Sequence, residues 1–365
     1  MRILLSAPRY DPYLGGVETH TKELAVRLSR RHHEVIVLTT DSEQNLPAAE
    51  VRDGVEIVRV PSWPKRGDPY FVRGLSKVIE SIQPDLVHAQ GYQSAFSPVV
   101  LRTSIHCSLP TILTFHGGAN ANVVRNALYP LQRRVLRRLL RRANALVVLT
   151  RFEAREYAKQ IGVPPARFVT IPNGSDLPDF APPPPSSHKI IGSIGRLDKA
   201  KGHDRVVRAF AEFAATDSTT TLRVIGRGPE LENLVSEATS LGVQDRIEFV
   251  SFGANERTQF AQCISQCSLF ISMSRAETQP IAVLEAAAMS KSIGVSTESH
   301  GMRELVEDGI AWPISPTATT AQLAEIMRRE LANPQIPDQS HLWTWEQCVD
   351  AVEALYVRLL GESKQ

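Results

Sequence analysis

Short apolar runs alternate with longer stretches of mixed polarity along most of this chain. In the first half the runs fall at 2–7 (RILLSA), 34–39 (EVIVLT), 54–60 (GVEIVRV), 84–88 (PDLVH), 111–115 (TILTF) and 145–149 (ALVVL). They are apolar nearly throughout instead of alternating, which predicts strands buried on both faces. Between them, segments such as 17–31, with Leu24 and Leu28 on one side, predict helices. Such strands separated by helices predict a parallel sheet covered on both faces, the doubly wound α/β class.

The pattern breaks at residues 173–188, which are rich in Pro, Asp and Ser and include Pro182 to Pro185 in succession. This composition predicts a stiff, extended linker. The α/β pattern then restarts, with strands expected near 189–194, 220–225, 246–250 and 268–272. The chain therefore divides into an N-terminal Rossmann-like domain over 1–172, a linker over 173–188 and a second Rossmann-like domain over 189–345. A final helix is expected at roughly 343–361, carrying Trp343, Trp345, Leu355, Tyr356 and Leu359. Open α/β sheets bind ligands beyond the carboxyl ends of their strands, so the cleft between the domains is the expected site.

Composition sharpens this picture in three ways. With 365 residues, 42% hydrophobic and 22% charged, the chain has the material for two globular cores. Its four cysteines form no CxxC pair, which suits reduced thiols in the cytoplasm. No stretch approaches the roughly 20 apolar residues of a membrane span, and the N-terminus reads as a first strand, not a signal peptide. Charge adds an asymmetry that the net value of +2 conceals. Residues 1–172 hold 24 Lys+Arg against 14 Asp+Glu, whereas residues 173–365 hold 17 against 25. The halves thus carry +10 and −8, and different partners are expected for each.

Four local features carry candidate chemistry. The segment GSIGRLDKAKG, 192–202, ends a strand at Gly195, offers Arg196, Lys199 and Lys201, and leads into a helix after Gly202. Glycines that permit close approach, cations and a helix N-terminus suit a diphosphate, although a solvated charged loop has the same composition. In ETQPIAVLE, Pro280 fits a first helical turn, which puts Glu277 in the preceding loop and Glu285 more than one turn along the helix. The two carboxylates can reach two parts of one ligand, or merely complement a helix dipole and solvent. YLGGVETH, 13–20, feeds Gly15 and Gly16 into a helix; it is either a phosphate loop or a tight turn, and it is not GxGxxG. In TFHGG, 114–118, His116 follows a strand, as a structural histidine or as one facing the cleft.

Taken in order, GGVE at 15–18, PDLVH at 84–88, FHG at 115–117, IPNG at 171–174, GRLDKAKG at 195–202, VIGRGPE at 224–230 and the Glu277/Glu285 pair resemble glycosyltransferase family 4. The likeness runs essentially the whole length. It implies the GT-B fold, two Rossmann-like domains facing across a cleft, with a last helix (about 346–365) crossing back to the first. It also implies retention at the anomeric carbon without a metal, and no D-x-D tripeptide is present to hold one. By this resemblance Arg196 and Lys201 hold the diphosphate of a UDP- or GDP-sugar, with Gly195 in the same loop. Glu285 binds its ribose, Glu277 and His116 meet the sugar, and Gly16 lets the first loop approach. No cofactor is implied. The chain departs from the family at Gln279-Pro280, at Ser290-Lys291-Ser292 and near Trp312, which leaves the sugar open.

One segment lies outside those motifs. In LQRRVLRRLLRRA, 131–143, helical spacing puts Arg133, Arg134, Arg137, Arg138, Arg141 and Arg142 on one half and Val135, Leu136, Leu139 and Leu140 on the other. A basic amphipathic helix suits an anionic membrane, and no nucleic-acid motif accompanies it. The expected function is hexosyl transfer to a lipid-linked or polysaccharide acceptor, peripheral on the inner face of the cell membrane. The alternatives are an inactive membrane-associated partner of the same fold, a nucleotide-sugar epimerase, or a synthase acting on a soluble acceptor.

Overall fold

The computed structural model describes residues 1–41, 45–63, 71–117, 123–181 and 188–362. Gly118 and the run Pro182 to Pro185 lie outside these residues. The chain forms two compact units, Met1–Asn173 with Trp345–Gln365, and Gly174–Thr344.

In the first unit, strands β1 (Arg2–Ser6), β2 (Glu34–Asp41), β3 (Ala49–Arg52), β4 (Val55–Pro61), β5 (Leu86–Gln90), β6 (Thr111–Thr114), β7 (Ala145–Val148) and β8 (Phe168–Thr170) form one sheet. Its order is β3-β4-β2-β1-β5-β6-β7-β8. Helices α1 (Gly16–Arg30), α2 (Leu75–Ile82), α3 (Phe96–His106), α4 (Val123–Leu140) and α5 (Arg151–Ile161) connect most of them. The sheet is parallel as expected except at one edge, where β3 runs antiparallel to β4. The cause is the Asp53-Gly54 turn, whose φ values of 53° and 79° suit a two-residue hairpin. The apolar pattern had also left β8 unmarked.

The second unit holds β9 (Ile190–Ile194), β10 (Thr221–Ile225), β11 (Ile247–Val250), β12 (Leu269–Ser272), β13 (Ser292–Ser296) and β14 (Trp312–Ile314), all parallel, in the order β11-β10-β9-β12-β13-β14. Its helices are α6 (His203–Ala214), α7 (Leu231–Ser240), α8 (Arg257–Gln266), α9 (Ile281–Ala288), α10 (His300–Glu307) and α11 (Thr320–Ala332). Alternate residues of its central strands enter two separate cores. Ile191, Leu269 and Ile271 pack with Phe210 and Phe213, whereas Ile190, Ile194 and Phe270 pack with Val283 and Leu284. A strand apolar at every position is thereby buried on both faces. Each such side chain contributes roughly 1.5–3 kcal/mol relative to exposure.

The last helix, α12 (Trp345–Glu362), belongs to the first unit. It starts two residues later than expected, because the Trp343 carbonyl accepts from the Ser175 N–H and hydroxyl, each at 2.9 Å. Arg31, which caps the end of α1, pairs with Glu346, Asp350 and Glu353 of α12. Inside the unit, Tyr356 Oη lies 2.6 Å from His88 Nδ1 on β5.

Candidate functional site

Both sheets reverse their winding at one place, between β1 and β5 in the first and between β9 and β12 in the second. Loops leaving the carboxyl ends of such neighbouring strands diverge and open a crevice. The candidate residues of each unit gather on those loops or next to them.

In the first unit, His116 follows β6 and keeps only 8% of its surface accessible. Its Nε2 lies 2.7 Å from Gln90 Oε1, at the end of β5. Its carbonyl accepts from Gln93 Nε2 at 2.6 Å, and the next N–H, of Gly117, donates to Glu153 at 3.2 Å. Backbone and ring are thus both held. The His20 ring, from α1, meets His116 edge-on at 4.8 Å, and His20 Nδ1 lies 2.8 Å from Asn173 Oδ1. Burial disfavours the charged form of all three histidines here. His20 is pushed down to about 4 and His88 to about 3, and His116 falls well below the ordinary histidine value. The cluster is therefore neutral at physiological pH.

The glycine loop after β1 is arranged differently from a bare phosphate loop. Gly15 caps α1, but the Glu18 carboxylate folds back beneath it, where a Cβ on Gly15 would sit 2.3 Å from Glu18 Oε2. Arg9 Nε completes that arrangement, 2.7 Å from Glu18 Oε1. An internal anion already complements this helix N-terminus. Gly16 is exposed, with open space where its side chain would be.

In the second unit the loop after β9 is tied to its neighbours by backbone. Gly195 donates its N–H to Ile225 (3.0 Å), Leu197 donates to Arg227 (2.9 Å), and Glu230 donates back to Leu197 (3.0 Å). This explains the VIGRGPE segment as a brace. Asp198 caps the turn Lys199–Lys201 by accepting from Ala200 N–H, and Ala200 O accepts from Arg275 N–H at 2.8 Å. Gly202 ends the loop at φ +69°, where a Cβ would also lie 2.4 Å from the Met273 carbonyl oxygen. No residue with a side chain fits there without displacement. Helix α6 begins at His203 with no side-chain cap; the Arg205 N–H donates to the Gly202 carbonyl at 3.1 Å, and the N–H groups of His203 and Asp204 have no partner among the described residues.

This scaffold brings Lys201 onto Glu277, with Lys201 Nζ paired to Glu277 Oε1. Glu277 lies in the loop before α9, as Pro280 predicted, and Gly301 of α10 rests directly on the Thr278 carbonyl. Arg196 points outward, with 62% of its side chain exposed and only a loose 3.9 Å approach to Asp198. Glu285 sits on α9 as expected but is 2% exposed, its carboxylate paired with Arg257 Nη2 at 2.5 Å. Two of the departures from the family pattern, Ser292 and Trp312, pack together. The Trp312 ring fills the space over Gly294, and its Nε1–H donates to Ser292 at 3.0 Å.

The arginine segment divides its labour. Arg133 Nη1 reaches Tyr92 Oη at 3.1 Å, Arg137 donates to the Ile161 carbonyl at 2.6 Å, and Arg141 donates to the Gly162 carbonyl. The last two neutralise the negative end of α5. Leu140 is buried, with Leu136 and Leu139 packed beside it, whereas Val135 is 72% and Leu131 58% exposed. Val135 thus leaves the apolar half assigned to it and joins Leu131, Arg134 and Arg138 on one outer stripe, at i, i+3, i+4 and i+7. Arg142 is exposed beyond the helix end.

Gln90, His20, Asn173, Glu153 and Arg257 escaped the motif reading. His20 and Asn173 stand inside quoted segments, VETH and IPNG, but nothing in spacing signals that they meet. Among the described residues no group of three or more His, Cys, Asp or Glu side chains is arranged to hold a metal, and no helix is long and apolar enough to cross a membrane.

Two Rossmann-like units with chemistry at both switch points are the architecture of GT-B glycosyltransferases. Residues 14–178 match Glycosyltransferase Family 4 and residues 178–342 match Glycosyl transferases group 1. The chain belongs to this family. A glycogen synthase of Mycobacterium tuberculosis is 25% identical over 92% of this chain and 87% of its own. An alpha-monoglucosyldiacylglycerol synthase of Streptococcus pneumoniae is 26% identical over 84% and 74%. Among solved structures, Anabaena HepE in complex with UDP and glucose superposes with a TM-score of 0.74, at 19% identity over 98% of this chain and 99% of that one.

Proposed function

We propose that the protein transfers a hexose, with retention, from a UDP- or GDP-sugar to a lipid-linked or polysaccharide acceptor. The observation that carries this reading is the Lys201–Glu277 pair, set beside Gly195 and the uncapped start of α6. Lys201, Arg196 and the α6 N–H groups receive the diphosphate, whose negative charge grows as the bond from anomeric carbon to phosphate oxygen breaks. In this reading cations of the protein, not a metal, neutralise that charge. Glu277, released from Lys201 by the phosphate, turns to the sugar hydroxyls, and Glu285 meets the ribose. The acceptor oxygen attacks the same face that the phosphate leaves, and its proton passes to the departing phosphate oxygen. His116, neutral and buried, offers a hydrogen bond to the sugar. The solved relative holding UDP and glucose supports the donor class, and another relative, named as an alpha-monoglucosyldiacylglycerol synthase, supports a lipid acceptor.

On this reading the stripe of Leu131, Arg134, Val135 and Arg138, with Arg142, rests on an anionic membrane surface. Each surface cation contributes about 1 kcal/mol there. Arg133, Arg137 and Arg141 serve the fold instead. The test is to incubate the protein with UDP- and GDP-hexoses and a membrane lipid extract and to determine the anomeric configuration of the product by NMR. A product of inverted configuration refutes the front-face mechanism. A new free sugar nucleotide formed without acceptor would mark an epimerase.

A further inference from the structure

Gln90 sits at the end of β5 with no accessible surface, and it lies in none of the matched segments that suggested chemistry. Its Oε1 faces His116 Nε2 at 2.7 Å. An amide oxygen has only lone pairs to offer, so this contact requires the hydrogen to be on Nε2. A neutral imidazole carries one N–H, so Nδ1 must then be a lone pair. The ring is neutral because it is buried, and among the described residues no charged group is hydrogen-bonded to Nε2. Among the described residues the titratable groups around it are His20 from α1, His88 from β5 and Glu153 from α5, and the Glu153 carboxylate accepts from the N–H groups of Gly117 and Leu149. Among the described residues Nδ1 has no hydrogen-bond partner.

With the Gln90 amide as it stands, two buried polar atoms beside this ring are left over. His20 donates from Nδ1 to Asn173 Oδ1, which makes its Nε2 an acceptor, and that buried atom has no partner among the described residues. Gln90 Nε2, a donor, has none either. Turning the Gln90 amide over would give His116 a donor, but it would leave the amide oxygen as the orphan and move the hydrogen to Nδ1. The choice between these two states decides whether the ring accepts or donates a hydrogen bond at the site.

We infer that Gln90 is a positioning residue that fixes His116 in the Nε2–H tautomer, so that the ring presents an acceptor, the Nδ1 lone pair, to a hydroxyl of the bound sugar. The functional half of this statement rests on the proposed role of His116 in transfer; the tautomer itself does not. A wrong tautomer at an otherwise intact site is a known route to large losses of rate. The inference therefore names a second residue whose chemistry, and not its bulk, sets what the site recognises: a sugar hydroxyl that donates.

The test is 15N NMR of protein labelled at histidine side chains, with His116→Ala to assign the signal. The wild type is expected to show Nε2 as the protonated, pyrrole-type nitrogen of His116 and Nδ1 as the pyridine-type one. Gln90→Leu removes the acceptor and should shift His116 to a mixture of tautomers. Gln90→Glu keeps an acceptor and should restore the Nε2–H form, with the ring titrating at higher pH than in the wild type. A wild-type spectrum with hydrogen on Nδ1 overturns the inference without any variant. So does a Gln90→Leu protein, folded by circular dichroism, whose His116 tautomer is unchanged. Should the tautomer behave as expected while His116→Ala transfers sugar at the wild-type rate, the role of His116 in the reaction fails and the structural assignment of Gln90 stands.

Discussion

The two units place their candidate residues at equivalent points of similar sheets, yet with opposite chemistry. At the β1/β5 switch point and on the neighbouring β6 loop the side chains are buried, neutral and locked by hydrogen bonds: His116 on Gln90, His20 on Asn173, His88 on Tyr356. At the β9/β12 switch point they are charged and partly exposed, with Lys201 on Glu277 and Arg196 reaching outward. A doubly wound sheet fixes where a site lies, but the polarity of the site is set by what the loops bring. Neutral donors and acceptors suit the recognition of hydroxyls, whereas partly exposed cations beside an uncapped helix suit a leaving diphosphate. The division also makes the units respond differently to mutation and to pH.

The largest effect is expected in the charged unit. Lys201→Ala should lower transfer by about 10²- to 10³-fold, roughly 3–4 kcal/mol of transition-state stabilisation, with little change in melting temperature. Steady-state kinetics beside a thermal melt would check both halves of that statement. An equal loss from a conservative change in the buried histidine cluster, with Lys201→Ala near wild type, would reverse the assignment of roles.

Acid should strike the neutral unit harder. His20 has its proton affinity lowered from the ordinary 6.5 to about 4 in the folded protein. The unfolded chain therefore binds more protons between those values, and stability falls as pH drops through that window. The loss from His20 alone is about 2 kcal/mol at pH 5 and about 3 kcal/mol by pH 4. His88 and His116 add in the same direction, while the second unit contributes only His203 of this kind among the described residues. Urea unfolding of single-tryptophan variants retaining Trp345 (first unit) or Trp312 (second unit) would separate the two. Parallel losses in both units at pH 5 would contradict the account.

Gly202→Ala isolates the scaffold from the charges. The residue combines φ +69° with a Cβ position 2.4 Å from the Met273 carbonyl, so the substitution should cost roughly 1–3 kcal/mol of stability. It should also weaken nucleotide binding, because Lys201 is the preceding residue. A stable Gly202→Ala protein with unchanged binding would show that the loop is not held as described.

The smallest effects belong to the arginine stripe. Arg134→Glu and Arg138→Glu should each weaken binding to anionic vesicles by about 1 kcal/mol or more while leaving the melting temperature unchanged. Arg137→Ala, which frees the Ile161 carbonyl at the end of α5, should do the opposite, lowering stability more than vesicle binding. Vesicle co-sedimentation with and without anionic lipid would read the difference.

The fold was legible where the sequence carries unbroken apolar runs, because a strand buried on both faces can be written in few other ways. It was less legible at β3 and β8, at β13 with its small polar residues, and at β14, where three residues include Pro313. The hairpin at β3 did have a signal, the Asp53-Gly54 pair, which was outweighed by the prevailing parallel pattern. Candidate residues in glycine loops were also legible, since a backbone that must pass close to something shows as glycine. Gln90 and Asn173 were not, because an amide becomes informative only when the imidazole it meets is brought across 26 or 153 residues. Arg133, Arg134, Arg137 and Arg138 read correctly as helical, whereas the helix ends at Leu140, before Arg141 and Arg142. Their partition between carbonyl ligands and outer stripe depended on where α5 ends, which spacing within 131–143 does not contain.

The central claim is that the second unit grips a nucleoside diphosphate through Lys201, and a thermal-shift titration with UDP, GDP, ADP and dTDP tests it without knowledge of the acceptor. A ligand that binds only the folded state raises apparent stability as the logarithm of its concentration over its Kd. The account predicts that UDP or GDP stabilises the wild type and that Lys201→Ala abolishes most of the shift. Stabilisation of both proteins to the same extent, or of neither by any of the four nucleotides, would contradict it.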